Sequence, residues 1–205
     1  MDFNDLIFHI NTRAKENNIK LLLEKSKSIF YPNSNLIVNG YFDIKTMTLA
    51  VAIDKPLSDW IMLFAHESSH MDQWIDKCVC WNNSIIDEFD STEYIDKWIS
   101  GEEFSQDFVD KIITYTRDLE LDCERRTIEK AKFYNLPVNI TEEIQKANSY
   151  IYFYTLLRDF RKWSLPEKSP YQLEEVWRKM PESFDVDHSV VSNDLRDLYF
   201  NHCYS

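Results

Sequence analysis

LSDWIMLFAHESSHMDQWIDK, residues 57–77, follows Pro56 and carries Asp59 near its start. Proline is tolerated where a helix begins, and an acid in the first turn complements the helix dipole. A helix is therefore predicted over about Leu57 to Lys77. Inside it stand His66, Glu67 and His70, in the pattern H-E-x-x-H. Residues four apart lie on one helical face, so His66 and His70 can aim their imidazoles at a single metal ion. Zinc accepts neutral imidazole nitrogens and is four-coordinate, with one position left open in catalytic sites. Glu67 is turned about 100° around the helix from His66, where its carboxylate can act as a base on water. The preceding WIMLFA is apolar, which buries the start of this helix.

The rest of the chain sets the frame. Its 205 residues fit one domain, and 44% apolar residues are ample for a packed core. Only two glycines occur, Gly40 and Gly101, which leaves little room for tightly turned all-β architecture. A mostly helical α+β fold is expected, with a small antiparallel sheet packed on the H-E-x-x-H helix. Residues 3–27 read as one amphipathic helix through Phe3, Ile7, Ile10, Ala14 and Leu21 to Leu23. Two or three short strands are expected over residues 28–54, with turns at Pro32-Asn33-Ser34 and Asn39-Gly40. Further helices are expected at about 92–100, 105–134, 142–163, 171–180 and 192–202. Ser91 and Asn139 are candidate N-caps, and Gly101 is a candidate C-terminal stop. No repeat or linker is visible, so residues 1–205 are expected to form a single domain, with about 138–205 as a helical extension.

The net charge is −12, which repels phosphates and argues against nucleic acid or an anionic membrane as partner. No run of about 18 apolar residues is present to span a bilayer. MDFNDLIFHINTRAK shows neither the basic start nor the apolar core of a secretory leader. An intracellular setting is expected, with Cys78, Cys80, Cys123 and Cys203 as free thiols. Cys78-x-Cys80 lacks the spacer of common zinc knuckles.

H-E-x-x-H supplies only two metal ligands. Its continuation, MDQWIDKC, has neither the glycine nor the third histidine of the metzincins. A carboxylate is the other common third ligand, and TRDLELDCERRTIEK, residues 116–130, places Glu120 and Glu124 four apart on one helical face. One can bind metal while the other holds a ligand histidine in its tautomer. Glu120 is the leading candidate ligand, Glu124 its rival, and Asp118 and Asp122 lie on other faces. For stabilising an oxyanion, His188 or one of Tyr150, Tyr152 and Tyr154 is a candidate. Trp74 is expected to wall the site.

Taken together, residues 40–70 (GYFDIKTMTLAVAIDKPLSDWIMLFAHESSH) and 120–137 (ELDCERRTIEKAKFYNLP) resemble the small gluzincin-type zinc metallopeptidases. The layout is similar to the compact ImmA/IrrE-like and phage-encoded metallopeptidases, and the likeness covers about residues 38–136. It implies Zn2+ on His66, His70 and Glu120, with Glu67 as the base and a protein or peptide as substrate. The family's Asp or Asn, four residues after its ligand glutamate, falls on Glu124. The aromatic-rich C-terminal third has no counterpart in the family. A zincin scaffold that binds or inhibits a protein partner through its acidic or aromatic surface is the alternative.

Overall fold

The computed structural model describes residues 1–165 and 167–205. The protein is a mostly helical α+β fold and divides into two units, Met1–Cys78 with Cys123–Val138, and Val79–Asp122 with Asn139–Ser205. Helix α5 (Gln106–Phe133) contributes its second half to the first unit and its first half to the second.

In the first unit, α1 (Phe3–Glu16) starts from a capping box. The Asp2 side chain accepts from the Asn4 and Asp5 amides, while Asp5 accepts from the Asp2 amide at 2.9 Å. Leu6, Ile10 and Ala14 form its buried face. The helix stops earlier than the expected 3–27, at Asn17-Asn18, where Asn18 takes a φ of 57°. Asn tolerates the left-handed region better than most residues. Leu21-Leu22-Leu23 then belongs to strand β1 (Lys20–Glu24). Three adjacent leucines satisfy a helical and a buried-strand pattern equally well, and pairing decided between them.

The strands expected over residues 28–54 pair antiparallel, and β1 adds a parallel neighbour to them. β1 runs parallel to β5 (Thr48–Ala52), with Lys20 opposite Thr48 and Glu24 opposite Ala52. β4 (Gly40–Asp43) runs antiparallel on the other side of β5, giving the order β1-β5-β4. The central β5 is buried at every position, which is why LAVA reads as a continuous apolar run. β2 (Ile29–Phe30) and β3 (Ile37–Val38) form a separate small antiparallel pair. Helix α2 (Leu57–Ile75) packs on β4 and β5, burying Ile61, Phe64, Ala65, Ser68, Ser69, Met71 and Gln73.

The second half of α5 fastens to α2 through polar groups. Lys130 Nζ donates to Asp72 Oδ2 at 2.8 Å, Ser68 Oγ at 2.9 Å and Ser69 Oγ at 3.0 Å. Thr127 Oγ1 donates to Ser69 Oγ at 3.3 Å. The two serines between the motif's Glu and His are thus the seam between these helices. Asp72 is also held by Arg13 of α1 at 2.6 Å. Burial lowers the Lys130 pKa, and Asp72 works against that by favouring the charged amine.

The second unit holds α3 (Val79–Ser84), the β6–β7 hairpin (Ile85–Ile86 and Phe89–Asp90), α4 (Ser91–Ile99), α6 (Ile140–Phe160), α7 (Glu174–Trp177) and α8 (Asn193–Cys203). Neither α3 nor the hairpin is signalled by the sequence. Asp90, not Ser91, caps α4, accepting from the Thr92 amide. Gly101 follows α4 with a φ of 109°. Residues Ile151 to Leu157 of α6 are all buried, so the central two turns of this helix have no solvent stripe and lie in the core of their unit. The helix expected at 171–180 is a 3-10 turn, Pro170–Gln172, followed by the single turn of α7.

No helix among the described residues is long and apolar enough to cross a membrane.

Candidate metal centre

α2 sets His66 and His70 one turn apart, with ring centroids 4.9 Å from each other and ring planes at 84°. Each Nδ1 has an acceptor nearby. His70 Nδ1 lies 2.8 Å from Oε1 of Gln73, a fully buried residue one turn further along the same helix. An amide oxygen there selects the Nδ1–H tautomer and leaves a lone pair on Nε2. His66 Nδ1 lies 3.1 Å from Glu124 Oε1 on α5, which selects the same tautomer. The structure thus brings together His66 and Glu124, two of the residues singled out in the sequence. Gln73 was missed, and its only signal was its position three residues after His70, where helix geometry places a neighbour.

A further neighbour was also missed. Cys123 is fully buried, and its Sγ lies 3.6 Å from His66 Nδ1 and 3.4 Å from the His66 carbonyl oxygen, to which the thiol donates. Burial opposes a charge on His66, yet Cys123 and Glu124 more than offset it and hold the imidazole pKa well above its ordinary 6.5. A pocket that favours a proton on this ring is one whose field favours a cation. Donor atoms of His66, His70 and Cys123 all lie within 4.8 Å of one another. Two imidazoles with their outer nitrogens held, beside a thiol and a carboxylate, are a donor set that suits zinc.

Glu67 is half-buried beside edge strand β4. A Cβ placed on Gly40 would come within 3.0 Å of Glu67 Cγ, 3.1 Å of the Ala50 carbonyl oxygen and 3.3 Å of Leu63 Cγ. Glycine at this position is therefore what lets β4 run close against the Glu67 side chain. Trp74 packs its ring on Phe42 of the same strand, with centroids 6.0 Å apart.

The other candidates belong to the second unit. Glu120 is 9% exposed, four residues before Glu124 on α5. Tyr150 and Tyr154 hydrogen bond to each other through their hydroxyls at 2.7 Å. Burial first, and then the charge of Glu120, push both phenols well above their ordinary pKa, so both remain neutral O–H groups. Asp118 is paired with Arg117 at 2.8 Å and faces solvent. His188 is 3% exposed, with Nε2 2.8 Å from Asn148 Oδ1 and its ring tilted on Tyr152. Asn148 also donates to the Pro181 and Ser183 carbonyls, so this histidine lies in a network that fastens residues 181–188 to α6.

No protein-family model, curated protein or solved structure matches the chain.

Proposed function

We propose that the chain is a zinc-dependent metallopeptidase, with His66 and His70 as metal ligands, Glu120 as the third and Glu67 as general base. The observation that carries this reading is the treatment of the two histidines. Each has its Nδ1 beside an acceptor, Glu124 for one and Gln73 for the other, an arrangement that orients both rings and favours Nε2 as the metal-binding nitrogen.

Zinc bound there would supply Lewis-acid polarisation of a carbonyl and make the attacking water more acidic. Glu67 takes the proton of that water on its carboxylate and delivers it to the amine leaving group. Glu124 keeps the His66 ring in one tautomer, and Gln73 does the same for His70. Helix spacing supports Glu120: it lies on the face of α5 that carries Glu124, one turn away.

A peptide is the substrate class favoured by the sheet. The sequence offers TMTLAVAI as a candidate substrate-pairing strand, but β5 is the central strand and has partners on both sides. β1 and β4 are the edges, and β4 is the one that passes against Glu67. An extended peptide can add to such an edge through main-chain hydrogen bonds, which would lay its scissile bond beside the base.

The test is zinc stoichiometry of purified protein alongside a Glu67→Gln variant. One zinc is expected in wild type, none in His66→Ala/His70→Ala, and full zinc without peptide hydrolysis in Glu67→Gln. Absence of zinc from wild type would overturn the reading. Biological activity that persists in Glu67→Gln would point instead to a binding protein.

A further inference from the structure

We infer that Cys123 is a metal ligand, its thiolate joining His66 and His70 on the ion. The inference rests on the metal-site reading above and goes beyond it, because the gluzincin resemblance provides no thiol.

Three observations carry it. The Cys123 sulfur and one nitrogen each from His66 and His70 lie within 4.8 Å of one another. Nitrogen and sulfur donors on one tetrahedral zinc, at about 2.0 and 2.3 Å from the metal, stand about 3.5 Å apart. The group is therefore within small side-chain adjustments of a coordinating arrangement. Second, all three donors belong to the first unit, on α2 and the second half of α5, and those helices are locked together through Lys130, Thr127, Ser68 and Ser69. The centre can thus be assembled from one folded unit. Third, Cys123 is fully buried, and its thiol donates to the His66 carbonyl oxygen at 3.4 Å, a weak use of a polar group. Metal ligation gives the sulfur a stronger partner.

On binding, the S–H bond breaks, the proton passes to solvent and a sulfur–metal bond forms. With His66 and His70 also bound, the thiolate is a third protein ligand drawn from the same unit.

X-ray absorption on the zinc-loaded full-length protein tests this directly. One sulfur scatterer at about 2.3 Å is expected. The cobalt-substituted protein should show a thiolate-to-cobalt charge-transfer band that is lost in Cys123→Ser with cobalt still bound. That band should persist in Cys78→Ser/Cys80→Ser, which excludes the other thiol pair. A wild-type zinc shell of nitrogen and oxygen only, or a band unchanged in Cys123→Ser, would overturn the inference while leaving the metallopeptidase reading intact. Metal that binds equally well in His66→Ala/His70→Ala would overturn both. If Cys123→Ser does not fold, the wild-type zinc spectrum still decides the question.

Discussion

Glu124 Oε1 stands 3.1 Å from Nδ1 of His66, across the seam between α5 and α2. This contact joins a loop-independent pair of helices to the chemistry of the site. α2 is seated by its apolar face on β4 and β5, and α5 is seated on α2 by Lys130 and Thr127. The scaffold therefore fixes where Glu124 meets the imidazole. A carboxylate at that nitrogen raises the basicity of the ring and prevents its rotation, and both effects favour metal binding.

Removing that carboxylate should weaken the site without emptying it. Glu124→Ala is expected to lower zinc affinity by roughly 10- to 100-fold, the usual effect of losing a partner to a ligand histidine. Competition against a chelator of known affinity measures it. An unchanged affinity would show that Glu124 pairs with His66 only in the metal-free protein.

Gly40 gives a packing prediction next to the base. A methyl group there meets Glu67 Cγ at 3.0 Å and the Ala50 carbonyl oxygen at 3.1 Å, and the backbone oxygen cannot swing away. Gly40→Ala should cost about 1–3 kcal/mol, as over-packing of an ordered interior does. Urea unfolding would show it as a lower midpoint at unchanged slope. If the variant is as stable as wild type, β4 does not approach Glu67 this closely.

The seam itself should be sensitive. Lys130 and Asp72 are each 13% exposed in their side chains and 2.8 Å apart. Lys130→Ala strands Asp72 with Arg13 alone, removes the donor to Ser68 and leaves Ser69 only the longer bond from Thr127. A loss of about 3 kcal/mol is expected, the low end for breaking a buried pair. Lys130→Met keeps the volume and should cost nearly as much, because the lost donor and not the lost bulk is responsible. A Met variant with wild-type stability would reverse that assignment.

Much of the site can be read from the sequence because helices have a fixed period. H-E-x-x-H and the Glu120/Glu124 spacing each define one face whatever the rest of the chain does. Gln73 and Cys123 could not be read this way. Gln73 became a partner only because its rotamer turns back along α2, and Cys123 only because α5 packs with that face inward. The same reasoning separates the strands. β5 was legible as a continuous apolar run, whereas β1 was not, because three adjacent leucines carry no period. Its parallel pairing to a strand 28 positions further on, Lys20 to Thr48, is a long-range choice that no local pattern records.

Asp185 provides the pH dependence. Its carboxylate accepts from the Tyr152 hydroxyl at 2.5 Å, and chiefly that bond, opposed by burial and aided by the Val186 and Asp187 amides, lowers its pKa below 3.8. A carboxylate whose folded pKa is depressed adds stability above its unfolded pKa and loses it as pH falls through the folded value. The contribution is therefore fully present at neutral pH and fades below about pH 4. Tyr152→Phe should remove the donor, costing about 1 kcal/mol at pH 6. The gap between variant and wild type should narrow towards pH 2, as the carboxylate in both becomes protonated. Urea midpoints at the two pH values measure it. An undiminished gap at pH 2 would mean that the Tyr152 hydroxyl donates equally well to the protonated carboxyl, and that the charge of Asp185 adds nothing to the bond.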